Sequence, residues 1–351
     1  MEQKVTLVST EKPTERVSPK KLGLAVTEAP KIFGSLSALE TLRDGLVAVI
    51  LAAGSGTRFR SDIPKVLYPL NGKPLVRHVT DAVYTTGSPV VVVVGHEGDR
   101  VRQALADTVS VFVEQVERLG TAHAVYLSRY ALPSGFVGDI IVLYADVPGV
   151  DEALMTAIID RHRSLRRSDP AYGAIVVTGS RSNSSASASS SYGRILRDQR
   201  NPSCISQIVE KKQINLLPDS DPQKRMLDEL DEFNSGIFIA RAPALFSALS
   251  DVKPHQVGSE RYEYYATDFV RQMVASGLHV YAWQVPPVIQ YKIEGANTLE
   301  ELEEIEIRRR AQHERAFEVT NDASQRHLID GTSNLTELGE GADSVPCNRR
   351  D

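Results

Sequence analysis

The chain has 351 residues, 42% of them hydrophobic, enough to bury a full core in one large domain with tails. Its 45 acidic and 40 basic residues leave a net charge of -5, so no global positive field exists to hold a nucleic acid and any phosphate chemistry has to be local. Cys204 and Cys347 form no Cys-x-x-Cys pattern, which argues against a zinc knuckle or disulfide framework, and the longest aliphatic run, Val90 to Val94, is far too short to span a bilayer. The N-terminus is broken by Glu, Lys and Arg instead of carrying a signal-peptide core, so the expected setting is the cytoplasm, away from any membrane.

Residues 1–44 mix Lys, Glu, Thr and Pro without sustained periodicity and read as a flexible extension with one short helix near Ser35 to Arg43. The fold is expected to begin at residue 45. Val47 to Leu51 is a buried strand that runs into a loop containing Gly54 and Gly56, where glycine permits backbone conformations closed to other residues. Arg58 and Lys65, with Pro64 stiffening the chain between them, set two cations beside that loop, an arrangement suited to a triphosphate. No Gly-Lys-Ser/Thr follows as in a P-loop, and Phe59 stands where a dinucleotide fingerprint needs a third small residue. Beyond the loop, helices over Pro74 to Tyr84, Asp99 to Ala106 and Ala122 to Tyr130 alternate with strands over Val90 to Val94, Val109 to Val113 and Ile140 to Tyr144. Such alternation predicts an α/β fold with a Rossmann-like, mainly parallel sheet flanked by helices, in which ligands sit beyond the carboxyl ends of the strands.

Several residues at those ends suit particular chemistry. Gln115 follows the third strand, and an amide can read a pyrimidine edge with one donor and one acceptor while Gly120 lets the backbone approach the base. His123, in the first turn of the next helix, reads as structural. Asp146 ends the strand Ile140 to Tyr144 and projects a carboxylate into the crevice, as a metal ligand or a helix cap. Strands over Ile175 to Thr178 and Tyr192 to Arg197 flank a loop with eight serines in twelve positions, Ser180 to Ser191. The polar stretch from Leu217 to Asp231 reads as an inserted surface excursion, Asn234 to Ala240 as a strand, and Thr267 to Ser276 as a helix. Thr298-Leu299-Glu300-Glu301 is a capping box opening a helix over residues 298–317, and residues 318–351 read as a disordered tail.

Leu51-Ala52-Ala53-Gly54-x-Gly56-Thr57-Arg58, followed by Pro64-Lys65-Val66-Leu67 and Gly72-Lys73-Pro74, resembles the signature of the sugar-phosphate nucleotidyltransferases. Within them the chain looks most like the uridylyltransferase domain of the bifunctional N-acetylglucosamine-1-phosphate uridyltransferases, from about Val47 to Asn297. The six-residue repeat of their acetyltransferase domain does not follow residue 298. The resemblance implies the nucleotide-diphospho-sugar transferase fold over residues 45–297, with a nucleotide-binding half (45–150) and a sugar-binding half with an inserted β region (151–297). It also implies transfer of a nucleotidyl group from UTP to N-acetylglucosamine-1-phosphate. By the same likeness Arg58 and Lys65 act on the phosphates; Leu51, Ala52, Ala53, Gly54, Gln115, Gly120 and Thr121 bind the nucleotide; Tyr144, Gly193, Glu210, Asn234 and Thr267 bind the sugar; and Asp146 with Asn297 holds Mg2+.

The expected partners are an NTP and a sugar-1-phosphate, and a monomer and a homodimer are equally open. One departure is that Ala145 replaces a glycine common before the metal aspartate, adding a methyl where sugar or metal approaches. Two alternatives therefore stand beside this reading: the same chemistry with GTP or ATP and another sugar-like or cyclitol phosphate, and a non-catalytic nucleotide-binding subunit.

Overall fold

The computed structural model describes residues 29–54, 59, 63–95, 97–109, 111–184, 191–257 and 261–311. Two compact units divide the chain, Met1–Ile305 and Glu306–Asp351. Of the second, the described residues 306–311 are helical.

The first unit is organised by one ten-stranded sheet. Its strands are β1 (Ile32–Gly34), β2 (Leu46–Ala52), β3 (Val90–Val94), β4 (Val111–Glu114), β5 (Asp139–Tyr144), β6 (Tyr172–Ser180), β7 (Arg194–Arg197), β8 (Ile205–Val209), β9 (Glu232–Arg241) and β10 (His279–Gln284). They lie in the order β1-β4-β3-β2-β5-β9-β6-β10, with β7 bridging β8 and β9. β2 pairs in parallel with β3 and β5, β3 with β4, and β6 with β10. β9 runs antiparallel between β5 and β6, and β1 antiparallel to β4. After β4 the chain crosses back to the other side of β2 to form β5, which puts the topological switch point, where open α/β sheets hold ligands, between the carboxyl ends of β2 and β5.

Alternate residues of the central strands enter different cores. Val47, Val49, Leu51, Val91 and Val93 pack into one apolar cluster, while Ala48, Ile50, Ala52, Val92 and Val94 pack into the other. A period of two with both faces covered explains why these strands read as unbroken apolar runs. Among the described residues the helices, in chain order, are α1 (Ser37–Glu40), α2 (Leu75–Tyr84), α3 (Gly98–Ala104), α4 (Thr121–Leu127), α5 (Glu152–Ser168), α6 (Lys211–Leu216), α7 (Pro222–Glu229), α8 (Ala242–Ser250) and α9 (Phe269–Ala275), and residues 299–305 are helical as well. α4, α8 and α9 bury residues in the first cluster, and α2 and α5 in the second.

Two expectations change. The fold starts before residue 45, because β1 pairs with β4 through Ile32–Val113 and its neighbours, and both Ile32 and Leu39 are buried in the first cluster. The stretch from Leu217 to Asp231, expected as an inserted surface excursion, contains a helix with a buried face, α7. Asp221 caps α7 by accepting from the Gln223 N–H at 2.8 Å, Pro222 opens the helix, and Leu227 is fully buried against Val209 and Ile214. The serine-rich loop is described only at its ends, so most of that expectation falls outside the described residues, as does the chain beyond 311.

The N-terminal strand and helix are testable by core truncation. Ile32→Ala and Leu39→Ala should each lower the unfolding free energy by about 2–4 kcal/mol in urea denaturation. Midpoints equal to that of the parent protein would show that this segment contributes nothing to the core.

Candidate active site

At the switch point the ends of β2 and β5 are tied together, because the Ala145 N–H donates to Leu51 O at 3.1 Å. The glycine that space demands here is Gly95, at the end of β3, where a Cβ would come within 2.8 Å of Ala53 O. Gly54 has no left-handed φ, and a Cβ on it would meet nothing within 4 Å. Its surroundings are open, so its own backbone does not require glycine. Gly56 and Arg58 lie outside the described residues, and Phe59 packs edge-on to Tyr68 with ring centroids 5.0 Å apart.

Lys65 opens a short 3-10 turn, Lys65–Leu67, directly after Pro64. Its Nζ donates to Asp146 Oδ2 at 2.5 Å and to Asn297 Oδ1 at 3.3 Å, joining residues 81 and 232 positions apart. The two side chains of the ion pair are 10% and 25% exposed, so the pair contributes on the order of 1 kcal/mol and matters for placement more than for stability. Asn297 is held from behind. Its N–H donates to Glu301 Oε2 at 2.6 Å, the Ala296 N–H to Asp146 O at 3.2 Å, and the Gly295 N–H to the Tyr192 hydroxyl at 3.0 Å. The Glu301 N–H in turn donates to Thr298 Oγ1 at 3.2 Å. Thus the capping motif reaches back to position 297 and fixes a candidate ligand. A carboxylate and an amide oxygen converging on one cation form a hard-oxygen donor set. Among the described residues no group of three His, Cys, Asp or Glu makes a closed metal cage. Mg2+ fits this arrangement, since it accepts few protein oxygens and keeps substrate phosphates and water.

On the far side of β3 and β4, the Gln115 N–H donates to Val94 O at 2.8 Å and its buried amide Nε2 donates to Gly120 O at 3.0 Å. His123 Nδ1 lies 3.0 Å from Glu117 O and 3.2 Å from the Gln115 amide Nε2, and burial pushes the imidazole pKa down. Gly120 has φ 104, and a Cβ there would lie 2.5 Å from Tyr264 O. Glycine is required at this position by the chain around residue 264, whatever base approaches. The Tyr264 N–H donates to Leu119 O at 2.7 Å, the Ala122 N–H to Tyr264 O at 2.9 Å, and the Ala266 N–H to Thr121 Oγ1 at 2.9 Å. The segment carrying Gly120 and Thr121 is therefore stitched to the segment carrying Thr267.

The residues expected around a sugar also form a connected set. The Asn234 N–H donates to Gly193 O at 3.1 Å, and Asn234 Oδ1 accepts from the Gly236 N–H at 3.1 Å, within the irregular part of β9. Gly236 has φ 87, and a Cβ on it would sit 2.7 Å from the Tyr144 ring. Tyr144 hydrogen-bonds Thr121, and burial, with Glu210 and Asp146 nearby, raises its phenol far above the usual range. Glu210 caps α6 in a reciprocal box with Gln213 and accepts from Thr267 Oγ1 at 2.8 Å. Burial raises the Glu210 carboxyl, with the Thr267 hydroxyl opposing it. Ala145 does not crowd the crevice as expected, for its methyl is fully buried in the second core cluster. Sequence reasoning missed Gly95, Gly236 and the buried brace in which Gln290 Nε2 and Ser184 Oγ donate to Glu294, at 3.1 Å and 2.9 Å.

Residues 48–187 match the family described as the MobA-like NTP transferase domain. Over 260 residues the chain is 36% identical to the bifunctional protein GlmU of Burkholderia mallei strain SAVP1, covering 74% of this chain and 51% of that one. The chain is thus similar to the NTP transferases over residues 48–187 and to GlmU proteins over most of its length. The bifunctional protein GlmU of Pelotomaculum thermopropionicum is 34% identical over 268 residues, covering 76% and 52%. The chain thus spans about half the length of the curated relatives it matches. In fold it is similar to the nucleoside-diphosphate-sugar pyrophosphorylase of Vibrio cholerae RC9, with TM-score 0.52, 17% identity and coverage of 73% and 98%. It is also similar to the UTP-bound UGPase of Acinetobacter baumannii, with TM-score 0.50, 18% identity and coverage of 75% and 92%. The expected mainly parallel sheet flanked by helices is the fold observed.

The raised Glu210 carboxyl gives the protein a signed pH response. The folded state holds that proton more tightly than the unfolded chain, whose carboxyl titrates near ~4.3, so the charged form costs stability as pH rises from there through the folded pKa. The Tm difference between Glu210→Gln and the parent should therefore shift in favour of the glutamine variant across that window. Parallel pH curves in differential scanning calorimetry would contradict it.

Proposed function

We propose that this enzyme joins a sugar-1-phosphate to the α-phosphorus of an NTP and releases pyrophosphate, with UTP and N-acetylglucosamine-1-phosphate as its substrates. The observation that carries the reading is the meeting of Lys65, Asp146 and Asn297 at the carboxyl ends of β2 and β5. A phosphate oxygen of the sugar-1-phosphate forms the new bond to the α-phosphorus, and the bond from that phosphorus to the bridging oxygen of pyrophosphate breaks. The nucleophile arrives as an anion, so the protein's work is to align two repelling reactants and offset their charge, without a general base. The buried neutral His123 is consistent with that economy.

In this reading Lys65 supplies a mobile cation to the triphosphate, joined by Arg58 on the strength of its place in the glycine-loop motif. Mg2+ held by Asp146 and Asn297 would add charge neutralisation at the phosphate oxygens. Backbone from Leu51 through Ala52 and Ala53 to Gly54 borders the nucleotide, where the open space at Gly54 leaves room for it. Gln115, with its Nε2 engaged by Gly120 O, turns the acceptor end of its amide to the base, and Thr121 flanks it. Tyr144, Gly193, Glu210, Asn234 and Thr267 form the acceptor pocket, where carboxylate, amide and hydroxyl groups suit sugar hydroxyls and an acetamido group. A cytoplasmic monomer or dimer acting on these small molecules, without nucleic acid or membrane, completes the proposal.

One observation favours a second acceptor. Glu210 is the cap of α6, which leads directly into α7, so this added helix pair borders the pocket and another sugar-like phosphate is the runner-up.

Pyrophosphate release from four NTPs against a panel of sugar phosphates, with Mg2+ present, is expected to be fastest for UTP with N-acetylglucosamine-1-phosphate and to vanish with EDTA. Lys65→Ala and Asp146→Ala should each lose roughly a hundredfold or more in kcat while keeping the parent circular dichroism. Turnover near the parent rate in both variants would refute the assigned roles, and nucleotide binding without turnover on any acceptor would point to a binding subunit.

A further inference from the structure

Three side chains outside the proposed pocket close a ring with two inside it. The Glu210 N–H donates to Gln213 Oε1 at 2.8 Å. A backbone N–H can only donate, so this bond fixes which end of the Gln213 amide is oxygen and turns its Nε2 toward His255 Nδ1, 3.1 Å away. An amide Nε2 can only donate as well. His255 Nδ1 must then accept, and the ring carries its proton on Nε2, which lies 2.5 Å from Asp268 Oδ2. Asp268 adjoins Thr267, and Thr267 Oγ1 returns to Glu210 Oε1 at 2.8 Å. The circuit Glu210–Gln213–His255–Asp268–Thr267 closes through only one tautomer of one imidazole.

We propose that His255 is a positioning residue for the acceptor pocket, holding Glu210 and Thr267 at a fixed spacing through Gln213 and Asp268. The inference deepens the acceptor role argued above and rests on it. Its elements come from four places in the fold: the end of β8, α6, the turn before α9, and the hairpin whose first strand is His255–Val257. The hairpin contributes nothing to the central sheet. His255 is nevertheless well anchored, stacked on Tyr265 with centroids 4.9 Å apart and planes 17° apart. Lys212, paired with Glu263 at 2.7 Å, and Arg271, 3.4 Å from Asp268, stand around the same cluster. Glu210 is partly buried and its carboxylate serves a helix cap and a hydroxyl at once, so a small rotation weakens one of these bonds. Bonds on the side away from the pocket are what prevent that rotation.

The test combines a spectroscopic and a kinetic readout. Long-range proton–nitrogen correlation of the histidine rings is expected to show His255 as the neutral Nε2–H tautomer, and Gln213→Ala should perturb its Nδ1 resonance. In pyrophosphate release, His255→Ala and Gln213→Ala should each raise the KM for the sugar phosphate by about five- to tenfold. The NTP KM and kcat should stay within about twofold, and the double variant should match either single one, because opening the ring twice adds nothing. Additive effects, an equal rise in both KM values, or an Nδ1–H tautomer would overturn the proposal. If the parent turns over no acceptor at all, the reaction assignment fails while the tautomer measurement still decides whether the ring exists.

Discussion

Charge convergence at one point of the sheet edge is the constraint on which the rest of the site depends. Asp146 places a carboxylate where two parallel strands end, and Lys65 and Asn297 reach it from segments 81 positions before and 151 after. The partly exposed carboxylate is paired with the lysine in the free protein, which sets its position more than it adds stability. The same lysine is the cation the proposed reaction needs on the triphosphate. One side chain can serve both purposes only if another cation takes its place at Asp146, and the oxygens of Asp146 and Asn297 suit Mg2+ for that exchange.

The sheet provides the rigidity and the loops provide the chemistry. β2, β3 and β5 are buried on both faces, so their carboxyl ends vary little in position, and what projects from them is determined by short, well-bonded turns. Gly95, Gly120 and Gly236 are three of the points where one piece of backbone or one ring passes close to another. Two of these three seat the proposed acceptor side against the proposed nucleotide side. Gly120 admits the backbone of Tyr264, and Gly236 admits the ring of Tyr144, whose hydroxyl reaches Thr121. The two halves expected from the chain are thus joined by hydrogen bonds that run through the candidate site itself.

Much of this organisation was legible in the residues. Double burial makes β2, β3 and β5 near-continuous aliphatic runs, and β4, though shorter, is readable as one too. β1 escaped notice because three residues pairing antiparallel at an edge carry no periodic signal. α5 carried signals that went unread: Asp151 as cap, then Leu154, Met155, Ile158 and Ile159 at helical spacing. α7 was similar, with Asp221-Pro222 at its start. Asn297 and Asp146 could be paired only by resemblance, since no spacing rule links residues so far apart. The ring through His255 was not legible either, because it depends on a tautomer and on a hairpin docked from outside the main sheet. Gly54 is expected to supply backbone freedom, whereas the glycine required beside it is Gly95, where a Cβ has no space.

The central claim, that Lys65 and a divalent cation share the oxygens of Asp146 and Asn297, is open to one direct measurement. Crystals grown with a non-hydrolysable NTP and Mn2+ would be examined by anomalous difference density. The account predicts a peak bonded to Asp146 and Asn297, with the Lys65 ammonium withdrawn from the carboxylate and set against a phosphate oxygen. A peak elsewhere, with Lys65 still seated on Asp146, would contradict it.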